Sequence, residues 1–123
     1  MKIIEKKYYH IVGTNKAEDV GIGSTEENYI KADVYYDEGG YGFLSGAHTK
    51  RGYNISAYTV GRGKDNYGYW ESTNVFGCKG AKEFLFEVNR QSKKKEAEAL
   101  EYFNEHIEEF IRKAFPGIEY EED

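Results

Sequence analysis

Residues 92–115, SKKKEAEALEYFNEHIEEFIRKAF, narrow the choice of fold more than any other stretch. Leu100, Phe103, Ile107, Phe110, Ile111 and Ala114 recur at spacings of three and four, which puts them on one face of a helix. Glu98, Glu101, Glu105, Glu108 and Glu109 fill much of the remaining surface. Such a helix is stable only when its apolar stripe is covered. Ser92 offers a hydroxyl to the first free backbone N–H groups, and Pro116-Gly117 stops the helix because proline cannot continue it. The chain upstream must therefore supply the covering surface, and it reads as strands.

The clearest strand is residues 29–36. Ile30, Ala32, Val34 and Tyr36 face one way and Lys31, Asp33 and Tyr35 the other, the alternation of a sheet with one buried face. Residues 2–12, KIIEKKYYHIV, have strand composition but an alternation too irregular to set a register. Residues 52–60, GYNISAYTV, and 69–76, YWESTNVF, are rich in aromatic and β-branched residues. In residues 81–88, Phe84, Phe86 and Val88 alternate with Glu83, Leu85 and Glu87. The connection at 13–28 is polar, with a capping-box spacing at Ser24 and Glu27. The stretch 61–68, GRGKDNYG, reads as a glycine-rich charged loop, and two glycines weaken a hairpin continuation at 41–47. Short turns favour antiparallel neighbours.

The expected fold is thus one α+β domain over residues 1–123, of a size that gives one core and little more. It is an antiparallel sheet of four to five strands (about 2–12, 29–36, 52–60, 69–76 and 81–88) with one long C-terminal helix (about 92–115) packed on one face. Residues 117–123 are expected to be a loose tail. No run approaches a membrane span, no secretion signal opens the chain, and the single Cys78 makes no internal disulfide. These features point to the cytoplasm.

Charge divides the chain. Residues 41–95 carry ten Lys/Arg against four Asp/Glu, a net of +6, whereas residues 96–123 carry two against ten, a net of −8. In the basic part, Lys50 and Arg51 precede Tyr58, and Arg62 and Lys64 sit beside Tyr67, Tyr69 and Trp70. Basic groups neutralise phosphates and aromatic rings stack on bases, so this set is a candidate nucleic-acid contact. Lys93, Lys94 and Lys95 open the helix, where the helix dipole prefers acids; with the free N–H groups they form a candidate anion site. Glu101, Glu105 and Glu108 are the candidate contact for a protein partner with a basic groove, since complementary charge speeds association. Solvated surface charge is the plainer reading of each set.

Chemistry is sparse. His10, His48 and His106 form no local ligand pair, so neither a metal nor another cofactor is expected. Residues 21–24 resemble a phosphate loop only in their glycines, because no Gly-Lys-Ser/Thr follows. Cys78 is the one thiol, and a lone cysteine at a strand end is ordinarily a packing residue.

Two runs carry a family resemblance: GYNISAYTV (52–60), and STNVFGCKGAKEFLFEVNRQSKKKEAEA (72–99). Their strand, Gly turn, strand and Ser-Lys-Lys helix start resemble a group of small proteins carried on phages, plasmids and conjugative elements of Firmicutes. Asn54 stands where that pattern often has an aromatic, and residues 1–50 lie outside it. The resemblance implies a setting in which small accessory proteins counter host defence, in the manner of anti-CRISPR proteins. The expectation is a non-catalytic binding protein that inhibits a nucleic-acid-handling defence enzyme, such as a CRISPR effector or restriction system. A direct nucleic-acid-binding accessory protein is the alternative, and a small enzyme using Cys78 is a distant third.

Overall fold

The computed structural model describes residues 2–21, 26–41, 48–72 and 79–123. Its strands are β1 (Lys2–Ile11), β2 (Tyr29–Asp37), β3 (Gly40–Tyr41), β4 (His48–Thr49), β5 (Gly52–Asp65), β6 (Gly68–Ser72), β7 (Gly80–Glu87) and β8 (Tyr120–Glu122). One α-helix, α1 (Lys93–Ala114), follows β7, and a 3₁₀ turn at Ala17–Asp19 lies between β1 and β2. A six-stranded antiparallel sheet runs β6-β5-β2-β1-β8, with β7 also paired to β5; β3 and β4 form a separate small hairpin. The class is α+β, with the helix against the sheet.

Strand β5 is the spine. Its residues 52–60 pair with β2 and residues 52–58 with β7, while residues 61–65 pair with β6. The GRGKDNYG stretch, expected as a loop, is therefore mostly strand, and the turn shrinks to Asn66 and Tyr67, where the Asp65 carboxylate accepts from the Tyr67 N–H (2.7 Å). The reason is packing. A Cβ on Gly63 would stand 2.2 Å from the Trp70 ring, so the glycine that resembles a loop signal is what lets that ring lie across the strand. Of the expected strand at 69–76, residues 73–76 lie outside the described residues, as do Ser24 of the capping box and Cys78.

The helix forms as its spacing predicts. Ser92 Oγ accepts from the Lys95 N–H (3.2 Å), and the helix ends at Phe115, just before Pro116-Gly117. Ala99, Phe103, Ile107 and Ile111 are buried against Tyr9, Ile30, Ala32, Val34, Tyr36, Tyr53, Ile55 and Ala57. That set includes all four residues expected to point inward from β2.

Three further expectations are corrected. The tail is not loose throughout: β8 pairs with β1, setting Tyr9 opposite Glu122 and Ile11 opposite Tyr120, and Tyr9 and Tyr120 meet edge to face at 5.2 Å. The second concerns the alternation in β7, which breaks at a bulge. Tyr53 pairs with Phe86 and Asn54 with Phe84, so Leu85 is the extra residue; Leu85 and Phe86 pack on the core while Phe84 stays 37% exposed. Finally, β2 is covered on both faces. Asp33 (4% exposed) and Tyr35 (6%) are as hidden as the core side chains behind them.

Candidate binding surfaces

Three groups of charged side chains stand out, and the fold places them apart. The first lies on the face of the sheet away from α1. Tyr8, Lys31 and Tyr58 are directly opposite one another on β1, β2 and β5. Glu71, from β6, reaches over them: its carboxylate accepts from Tyr8 Oη (2.7 Å) and from Lys31 Nζ (3.0 Å). Burial alone would lift the Glu71 carboxyl, but these hydrogen bonds and the charges of Lys31 and Arg62 hold it below the ordinary glutamate value. Burial works against the Lys31 ammonium too; the Glu71 hydrogen bond and charge outweigh it and keep the lysine above its ordinary value. Deeper in, burial raises the Asp33 carboxyl, opposed by a hydrogen bond from Ser56 and the charge of Lys31.

Arg62 extends this group along β5. Its guanidinium carbon lies 3.7 Å from the centre of the Tyr8 ring and 5.2 Å from that of Tyr69. Lys64 adds an ammonium 5.5 Å over Tyr69, and Tyr69 Oη donates to Glu18 (3.0 Å). The buried Asn28 fixes the position. Its side-chain amide acts as one more rung of the β2–β5 ladder, accepting from the Arg62 N–H (2.8 Å) and donating to the Arg62 carbonyl (2.9 Å) and to that of Asn15 (2.8 Å). Lys6, Lys7, Tyr8, Arg62, Tyr69, Glu122 and Asp123 line an open cleft here, of about 380 Å³.

The second group is at the start of α1. Arg51 donates to the Glu38 carbonyl (2.9 Å) and the Asn89 carbonyl (3.1 Å), which brings it beside Arg90 and Gln91 in a cleft of about 300 Å³. Lys93 and Lys94 are exposed in the next turn. Lys95 is engaged, pairing with Glu98 (3.1 Å) and lying 5.5 Å over the Phe86 ring; Lys50 lies 5.6 Å over Phe84. Arg51 just precedes β5 and Arg62 lies near its far end, roughly 36 Å away at the rise of an extended strand. The eight candidate nucleic-acid contacts thus fall into two places. Tyr58, Arg62 and Lys64 belong to the back face, and Lys50, Arg51, Lys93, Lys94 and Lys95 to the helix start.

The third group is the outward side of α1. At 3.6 residues per turn, Glu98, Glu101, Glu105 and Glu108 fall opposite the buried stripe, and all four are exposed. They span about 15 Å of helix. Lys95 reaches the first of them, and His106 Nε2 lies 3.8 Å from Glu105. The three glutamates expected as a partner contact are therefore one stripe.

Sequence reasoning missed Tyr8, Asn28, Lys31 and Glu71. The available signal was the pair Lys31 and Asp33, polar residues at alternate places in the most apolar strand. Among the described residues no group of three or more His, Cys, Asp or Glu is placed to hold a metal ion, and no helix is long and apolar enough to cross a membrane. No family model, curated protein or solved structure matches the chain.

Proposed function

We propose that this is a non-catalytic binding protein whose acidic helix face docks on a basic, nucleic-acid-binding surface of another protein. The observation that carries the reading is the stripe of Glu98, Glu101, Glu105 and Glu108, all exposed on the side of α1 that the sheet does not use. The stripe contributes nothing to the core, and like charges one turn apart on a helix weaken it slightly. A row of carboxylates about 15 Å long offers a basic groove the charge pattern it ordinarily meets in a phosphate backbone. The resemblance of residues 52–60 and 72–99 to proteins of mobile elements supports a cytoplasmic setting, with a defence enzyme such as a CRISPR effector or restriction system as the target. Capture from host lysate with parent protein and with the E101Q/E105Q/E108Q variant tests this. The expected partner handles nucleic acid, is lost with the variant, and is released by added DNA or RNA. Equal capture by the variant would refute it.

A second reading has its own observation. Arg90, Lys93 and Lys94 make no ion pair among the described residues, and they cluster with Arg51 at a helix N-terminus. Direct nucleic-acid binding there would appear in a gel shift as salt-sensitive binding that K93Q/K94Q/K95Q abolishes.

A further inference from the structure

The cleft on the back face is organised more closely than a solvated surface requires. Arg62 is the centre of it. Its backbone is held by Asn28, its strand is freed to pass Trp70 by Gly63, and its guanidinium carbon sits over the Tyr8 ring, 3.7 Å from the centre. Only 14% of the side chain is exposed, yet among the described residues its guanidinium N–H groups make no hydrogen bond. Glu71, opposite it on β6, is hydrogen-bonded to Tyr8 and Lys31 instead, and the carboxylate paired with the guanidinium is Asp123 Oδ2, 3.7 Å from Nη1, too long for a hydrogen bond. An arginine fork held in place with its donors unused is built to receive two oxygens of a carboxylate or phosphate.

We propose that this cleft binds the phosphate of a nucleotide, and that Asp123 occupies the phosphate position in the free protein. The phosphate oxygens bridge Arg62 and Lys6, which is exposed on the lining and has no side-chain partner among the described residues. The base stacks on Tyr69, a residue 54% exposed at the cleft wall. A volume of about 380 Å³ lies in the range of small-ligand sites and suits one nucleotide, free or at a strand end, rather than a length of polymer. The tail is poised to yield. Tyr9, His10 and Ile11 hold residues 120–122 in register, and Glu121 is anchored by His10 (3.1 Å), but Asp123 lies beyond β8 with only its N–H bonded, to the Tyr8 carbonyl. Its side chain can leave while the strand stays. This site is independent of the acidic helix face, so either proposal can fail alone.

Calorimetric titration with AMP, inorganic phosphate, and a tetranucleotide with and without a 5′-phosphate tests the site. AMP is expected to bind with a Kd below about 1 mM. D123N should tighten it several-fold, and R62K, which removes the fork, should weaken it about tenfold. K6Q, an exposed change, should weaken it without altering the melting temperature, and so keeps the test open if R62K folds poorly. If the 5′-phosphorylated tetranucleotide matches AMP, the ligand is a strand end; if only AMP binds, it is a free nucleotide. Absence of AMP binding in both parent and D123N, affinity unmoved by both R62K and K6Q, or inorganic phosphate binding as tightly as AMP would each overturn the assignment.

Discussion

Replacing Phe103 with alanine should remove a large share of the stability, and the structure says why. Phe103 is completely buried, in the cluster that joins α1 to β2 and β5. Lys7, Ala32 and Ala57 lie side by side across β1, β2 and β5, and Lys7 Nζ sits 5.7 Å over the Phe103 ring. Phe103 shares its cluster with Ala32 and Ala57, and neither alanine can expand into the space the ring leaves. Phenylalanine-to-alanine changes in packed cores cost about 3–5 kcal/mol. For a domain of this size about 4 °C accompanies each kcal/mol, so the melting temperature should fall by roughly 12–20 °C. Urea denaturation and a thermal scan give the two numbers. Glu105→Ala, on the exposed side of the same helix, should stay within about 0.5 kcal/mol of the parent. A loss below about 1 kcal/mol for Phe103→Ala would mean that α1 does not cover the sheet as described.

Asn28→Ala should cost about 2 kcal/mol or more in urea denaturation, because it strands the Arg62 N–H and carbonyl and the Asn15 carbonyl. Glu71 sets an acid limb. Its carboxyl is held below the ordinary glutamate value, so its contribution is full above about pH 4.3 and is lost as pH falls through the folded value; Glu71→Gln should lower stability at pH 7 and flatten the decline below about pH 5. Lys93, Lys94 and Lys95 changed together to Gln should leave the melting temperature within a degree or two, since removing cations from the positive end of the helix offsets the lost Lys95–Glu98 pair, worth a few tenths of a kcal/mol.

The helix and the inward face of β2 were legible because each rests on a local period that the fold leaves intact. Phe103, Ile107 and Ile111 are buried at helical spacing, and Ile30, Ala32, Val34 and Tyr36 at strand spacing. Bulges are not legible in this way. One extra residue at Leu85 moves Phe84 off the core face, and a second register shift, between Ile3 and Glu5, explains why residues 2–12 gave no clean alternation. The tail hid its strand because Tyr120, Glu121 and Glu122 gain order only from pairing with β1, more than a hundred residues away. The candidate surfaces divide similarly. Glu101, Glu105 and Glu108 share a stripe because helix geometry is local. Glu71, by contrast, meets Tyr8 and Lys31 only once β6 has folded over the sheet.

The association rate with the captured partner, measured at about 50 mM and 300 mM salt for the parent and for E101Q/E105Q/E108Q, tests the central claim most directly. Steering by the carboxylate stripe should make the parent's rate fall about tenfold or more with added salt. The variant should start near the parent's high-salt rate and respond little, with its melting temperature unchanged. Equal rates for the two proteins at both salt concentrations would contradict the account and leave the acidic face of α1 as solvated surface.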